Sequence, residues 1–175
     1  STGTVTAANL SAIGGSTTGT VTVANAQTVT GTAAEATAAL VTSGTKVVLG
    51  AASTVTVSDA TAVADAAALA GVTNATVGFT NGITGAVAAL GECRSATSKL
   101  SAEAADDADV TVSVTDGTGT ITATNLSAIG GATTGTVTVA NGQTITGTAA
   151  EATAALVTSG TKVVLGAAST VTVSD

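Results

Sequence analysis

Residues 1–59 recur almost letter for letter as residues 117–175, an offset of 116 that decides most of what this chain can fold into. Only six paired positions differ: Ser1/Gly117, Val5/Ile121, Ala8/Thr124, Ser16/Ala132, Ala26/Gly142 and Val29/Ile145. A fixed period marks a repeat array, in which each unit buries its apolar face against its neighbours. The chain is accordingly read as a single stretch, 1–175, cut from a longer array. Residues 1–116 are one full repeat and 117–175 are the start of the next.

A finer period lies inside the long one. The triplet Thr-aliphatic-Thr occurs at Thr4-Val5-Thr6, Thr28-Val29-Thr30, Thr54-Val55-Thr56, Thr120-Ile121-Thr122, Thr144-Ile145-Thr146 and Thr170-Val171-Thr172, with Gly82-Ile83-Thr84 filling the gap. The central aliphatics are 24, 26, 28 and 38 residues apart before the pattern restarts. A second set of strands precedes each triplet from the second onward: Thr20–Val23, Val47–Leu49, Thr76–Phe79, Thr111–Val114, Thr136–Val139 and Val163–Leu165. Alternation of period two and β-branched enrichment mark both sets as strands.

Helix signals follow the triplets. Thr32-Ala33-Ala34-Glu35 and its copy at Thr148 have the form of a capping box, in which hydroxyl and carboxylate satisfy each other's exposed backbone donors. The run to Val41 should stop at Gly44. Asp59 is expected to cap a helix over Ala60–Ala70 closed by Gly71. A short helix Asn9–Gly14, with Leu10 and Ile13 inward, should recur at Asn125–Gly130. The stretch Gly85–Asp107 is longer, more charged and interrupted at Gly91. Strand-helix-strand crossovers within one sheet are right-handed. The fold class predicted is therefore α/β: a right-handed β-β-α solenoid of about six coils, with parallel sheets and one Ala-rich helical layer. Val5, Val29, Val55, Ile83, Ile121, Ile145 and Val171 should form one inward ladder, closed by Ala33, Ala36 and Leu40. Strands want ~4.8 Å spacing and packed helices ~8–10 Å, so the helical side should fan outward.

Composition narrows the function. The chain has no His, Trp, Tyr, Met or Pro, a single Cys and a formal charge of −7. Four cations (Lys46, Arg94, Lys99, Lys162) cannot track a phosphate backbone, which argues against nucleic acid. No apolar run is long enough for membrane insertion as a helix. Hydrolytic triads commonly use an imidazole base and zinc sites use Cys and His, so no catalytic residue and no cofactor is assigned and the chain is read as no enzyme. The recurring charges Glu35/Glu151, Lys46/Lys162 and Asp59/Asp175 read as caps and solvated edges, against a paired-carboxylate glycosidase. Asp106, Asp107 and Asp109 read as a solvated loop, with oxygen ligands for weak calcium as the alternative. Cys93 is read as a small buried hydrophobe or idle thiol, with an intermolecular crosslink as the alternative.

Val-Thr-Gly-Thr-Ala-Ala-Glu-Ala-Thr-Ala-Ala-Leu, followed by a Val-rich strand and Thr-Val-Thr-Val-Ser-Asp, resembles the low-complexity tandem repeats of giant bacterial cell-surface and secreted proteins. That family includes giant surface proteins of swimming marine cyanobacteria. The chain is also similar to the arrays of large adhesins and S-layer-associated proteins. The resemblance implies an extracellular structural role: a spacer, coat or projection whose partners are neighbouring repeats of the same chain. Strand edges left unpaired by a cut mid-period should support end-to-end self-association. One alternative comes from alternation, which sends the flanking threonines outward. Thr4, Thr6, Thr28, Thr30, Thr54, Thr56, Thr120, Thr122, Thr144, Thr146, Thr170 and Thr172 would then form a hydroxyl array that resembles the ice-binding faces of Thr-rich β-solenoid antifreeze proteins.

Overall fold

The computed structural model describes residues 2–42, 47–72, 75–91, 107–158 and 162–175. Six helices and fourteen strands lie among them. The chain divides into two compact units, Ser1–Asn81 and Gly82–Asp175. Gly44 and Lys46 lie outside the described residues, as do Cys93, Arg94 and Lys99.

In the first unit the order is β1 (Gly3–Thr6), α1 (Ala7–Gly15), β2 (Val21–Val23), β3 (Gln27–Gly31), α2 (Ala33–Leu40), β4 (Val47–Leu49), β5 (Thr54–Val57), β6 (Thr61–Ala62), α3 (Val63–Val72) and β7 (Thr76–Phe79). One sheet runs β1-β3-β5-β7 and a second pairs β2 with β4. The register stacks like on like. Thr4, Thr28, Thr54 and Thr76 share one column, and Val5, Val29, Val55 and Val77 share the next. Val29, Val55 and Val77 are buried, each apolar side chain contributing ~1.5–3 kcal/mol when fully withdrawn from water. Gly31, Val57 and Phe79 continue the pattern in a further column. Gly31 has no room for a side chain: a Cβ there would lie 2.9 Å from both the Ala7 Cβ and a Glu35 carboxylate oxygen.

The second unit contains β8 (Ile83–Gly85), α4 (Val87–Gly91), β9 (Val112–Val114), β10 (Gly119–Thr122), α5 (Ala123–Ala132), β11 (Val137–Val139), β12 (Gln143–Gly147), α6 (Ala149–Leu156), β13 (Val163–Val164) and β14 (Thr170–Val173). One sheet runs β10-β12-β14, and a second carries β8, β9, β11 and β13 side by side. Ile121, Ile145 and Val171 occupy one column of the first. Val112, Val137 and Val163 occupy a column of the second. The strand pairs β1–β3, β3–β5, β5–β7, β2–β4, β8–β9, β9–β11, β11–β13, β10–β12 and β12–β14 are parallel.

Several expectations need correction. Ile83 does not join the Thr-aliphatic-Thr ladder; it pairs with Val112 in the other kind of sheet. In the first unit the rung after Val55 is Val77. The reason is apolar matching, because β7 presents two inward residues, Val77 and Phe79, in register with Val55 and Val57. The three-residue β8 has one. Helix α1 starts at Ala7 rather than Asn9, with the Thr6 hydroxyl accepting the Asn9 N–H at 3.3 Å. Ile13 is exposed, although its copy Ile129 is buried. Leu40 is half-buried, and Ala39 completes the buried stripe with Ala33 and Ala36. Val171 is 45% exposed, at the outer edge of its sheet.

Asp59 does not cap the helix that follows it, which begins only at Val63 after β6. Its carboxylate instead accepts the N–H of Ala33, the first residue of α2 one coil earlier, at 2.7 Å. Asp175 does the same for Ala149 of α6 at 2.8 Å, and Asp116 for Val87 of α4 at 2.6 Å. The other end of the motif is tied back too. The Ser53 hydroxyl accepts the Gln27 N–H, and Ser169 that of Gln143, each at 3.2 Å. Between them, the Ser58 and Ser174 N–H groups donate to the Gly31 and Gly147 carbonyls. Ser-Thr-Val-Thr-Val-Ser-Asp is thus a clasp, holding its strand onto the preceding coil at both ends.

A carboxylate at a helix N-terminus satisfies an exposed donor and complements the helix dipole. Replacing Asp59 with Ala should therefore lower stability by about 1 kcal/mol, and Asp59→Asn, whose amide oxygen still accepts, should lose less. Urea titrations of the two variants would measure this, and an unchanged midpoint for Asp59→Ala would refute the clasp.

Candidate functional surface

Three surface features are repeated or clustered enough to be weighed as sites: the threonine columns, a groove between helices, and the acidic stretch at 106–109. The threonine array extends further than the triplets indicate. Thr76 adds a fourth rung to the column Thr4-Thr28-Thr54, whereas Gly78 interrupts the column Thr6-Thr30-Thr56. In the second unit Thr120-Thr144-Thr170 and Thr122-Thr146-Thr172 stack in the same way. Neighbouring hydroxyls touch along a column, Thr54 donating to Thr28 at 3.4 Å and Thr170 to Thr144 at 3.3 Å. The edge of the array is occupied structurally. Thr6 and Thr122 spend their hydroxyl acceptors on the N–H groups of Asn9 and Asn125 at the starts of α1 and α5. Thr28, Thr30, Thr56, Thr144 and Thr146 are only half-exposed.

The groove occurs in both units at equivalent positions. Ala8, Ser11, Ala12, Ala34, Glu35 and Ala38 line about 450 Å³ between α1 and α2. Thr124, Ser127, Ala128, Glu151 and Ala154 line about 290 Å³ between α5 and α6. Small side chains let the helices approach closely, and the glutamate at the groove wall is the N3 residue of a capping box in each copy. Ala8/Thr124 is the difference that matters here. The Thr124 hydroxyl donates to Glu151 at 2.8 Å, a bond that Ala8 cannot offer Glu35. Sequence reading finds the capping box but not the groove, because the helix-helix partner is not visible in either helix alone.

The recurring charges are all engaged by hydrogen bonds of the fold where they are described. Glu35 and Glu151 accept the Thr32 and Thr148 N–H groups at 2.8 Å. The Lys162 ammonium donates to the Thr134 carbonyl at 2.6 Å. Of the acidic stretch, Asp106 lies outside the described residues. Asp107 is half-buried, and its carbonyl accepts the Val110 N–H at 3.1 Å, while Asp109 is exposed. Among the described residues, no group of three or more His, Cys, Asp or Glu side chains could hold a metal ion. No helix among them is long and apolar enough to cross a membrane.

No protein-family model matches the chain, and no similar curated protein or solved structure was found.

The Thr148 backbone N–H, together with the Thr124 and Thr148 hydroxyls, holds the Glu151 carboxyl below the usual carboxylate range against partial desolvation. A carboxylate with a depressed folded pKa stabilises fully above its unfolded value, and that contribution disappears as pH falls through the folded pKa. Carbon-detected NMR titration of Glu151 should therefore give a midpoint below an ordinary glutamate. Replacing Thr124 with Ala should move that midpoint upward, and an unmoved midpoint would show that the hydroxyl contributes nothing.

Proposed function

We propose that this chain is a non-catalytic structural repeat module of a giant extracellular or cell-surface protein, acting as a spacer, coat or projection. On this reading the coils of each unit are turns of a right-handed β-β-α solenoid, about six in all, with parallel sheets on two sides and an Ala-rich helical layer on the third. The observation that carries it is the clasp. Asp59, Asp116 and Asp175 each cap a helix of the preceding coil, 26, 29 and 26 residues back. A polar group that reaches back by one coil is built for adding coils, and a unit that repeats almost unchanged at 116 residues adds length without adding chemistry. The localisation rests on the resemblance to tandem surface repeats and on the near-absence of oxidisable side chains.

Small-angle scattering tests the spacer role directly. Chains of one, two and three 116-residue periods should show a radius of gyration rising nearly in proportion to length. A compact body would follow roughly the 0.38 power of residue number, and that outcome would defeat the reading.

The four-rung column Thr4-Thr28-Thr54-Thr76 favours one second reading, ice binding through hydroxyls and methyls spaced ~4.8 Å across strands and ~6.6 Å along them. Against it stand the capping duties of Thr6 and Thr122 and the gap at Gly78. Thermal hysteresis that vanishes on replacing Thr28 and Thr54 with bulky residues would reverse the ranking. A null result on the unmodified chain would remove ice binding.

A further inference from the structure

The paired difference Ala26/Gly142 lies just before β3 in one copy and just before β12 in the other. Each follows an asparagine, Asn25 or Asn141. The backbone gives no reason for a glycine there. Among the described glycines only Gly82 has a positive φ, at 74°. A Cβ on Gly142 would approach the Ala167 carbonyl at 3.0 Å, and the first copy carries that Cβ as Ala26. What the glycine changes is access to its own nitrogen. Asn141 is exposed and Gly142 half-buried. Among the described residues, the Gly142 N–H donates to no backbone carbonyl. The Asn141 side-chain amide donates to the Asp116 carbonyl at 2.6 Å. An exposed side chain leaves such a bond on the picosecond-to-nanosecond scale of rotamer exchange.

We propose that Asn141 is a site of spontaneous covalent modification, deamidating through a cyclic imide formed with Gly142. The Gly142 amide nitrogen, deprotonated by hydroxide, attacks Cγ of Asn141. A Cγ–N bond forms, the Cγ–Nδ2 bond breaks, and ammonia leaves carrying a proton from water. Water then opens the imide ring at either carbonyl, giving aspartate or isoaspartate. The net exchange is water in and ammonia out, with no oxidant, reductant or cofactor. Glycine matters because it has no Cβ to obstruct the attack and lets the peptide rotate. Ala26 obstructs both in the first copy. The fold also separates Asn141 from the other Asn-Gly pair, Asn81-Gly82. Gly82 is buried, a Cβ on it would strike Thr111, and the Thr111 carbonyl accepts the Ile83 N–H at 2.8 Å. The peptide that must rotate is pinned there, so Asn81 is spared while the chain is folded. Conversion of Asn141 has a structural consequence. The Asp116 carbonyl takes donors from both Asn141 and Gln143, and the Asp116 carboxylate holds the Val87 N–H. An acceptor at 141 breaks one of those donor bonds and loosens the junction where one period meets the next.

Ageing the full chain at mildly alkaline pH, folded and in urea, tests the site when peptides are mapped by mass spectrometry. In the folded chain Asn141 should convert at a rate that rises with hydroxide, with isoaspartate present beside aspartate. Gly142→Ala, which installs the residue of the first copy, should lose the conversion, and Ala26→Gly should create it at Asn25. Asn81 should stay intact in the folded chain, whereas in urea Asn81 and Asn141 should convert together. An Asn141 that converts in urea but never in the folded chain overturns the proposal. Equal conversion of Asn81 and Asn141 in the folded chain does so too, because the fold would then select nothing. Conversion that survives Gly142→Ala excludes attack by the following nitrogen and has the same effect. Circular dichroism checks that the variants are folded; where one is not, Asn25 in the unmodified chain is the control and should remain intact beside a converting Asn141. The converted chain should also unfold at a lower urea concentration than the fresh one, and an equal midpoint would overturn the loosened junction.

Discussion

Every helix leaves N–H groups at its start with no partner inside the helix, and in this protein the groups that meet them come partly from the next coil. The Thr32 and Thr148 boxes are local, each hydroxyl accepting from the N3 residue and each N3 glutamate reaching back. The aspartate at the end of the clasp is not local. It couples a strand's position to a helix terminus 26 residues earlier, so a coil cannot slide against its predecessor without exposing a donor. Apolar columns alone would specify register weakly here, because Val follows Val at nearly every rung. Polar groups at both ends of the strand remove that ambiguity.

Much of this was legible in the sequence, and the reasons differ by element. Strand positions could be read because β-branched alternation is strong, and the boundaries at Val47–Leu49 and Thr76–Phe79 agree with the structure. The capping boxes could be read because donor and acceptor lie three residues apart. Asp59 was misassigned for the converse reason: its nearest helix in sequence is α3, and its partner is α2. Ile83 was misassigned because the triplet pattern weighs one inward residue, whereas pairing depends on two. Nothing local distinguishes Ile13 from Ile129, or Val171 from Val55. Their burial is set by the neighbouring coil, so identical letters acquire different environments.

The candidate surfaces follow the same division. Outward threonines were readable from alternation, and the structure adds Thr76 while drawing Thr6 and Thr122 into caps. The grooves between α1 and α2 and between α5 and α6 were not readable, since they exist only where two Ala-rich faces meet. Glu151 illustrates how a single difference between the copies alters chemistry without altering the fold. A hydroxyl at position 124 adds a donor to a carboxylate already engaged, while the backbone around it is capped in the same way as in the other copy.

Because the clasp reaches backward along the chain, it also sets an order of events during synthesis. The N–H of Ala33 waits for Asp59, and that of Ala149 for Asp175, in each case 26 residues later. At about 5–20 residues per second, a ribosome supplies the missing carboxylate a few seconds after the helix itself emerges. Helix formation and loop closure take microseconds or less, so each coil has ample time to form before its lock arrives. The nascent chain therefore carries one unlocked coil at its growing end and finished ones behind it.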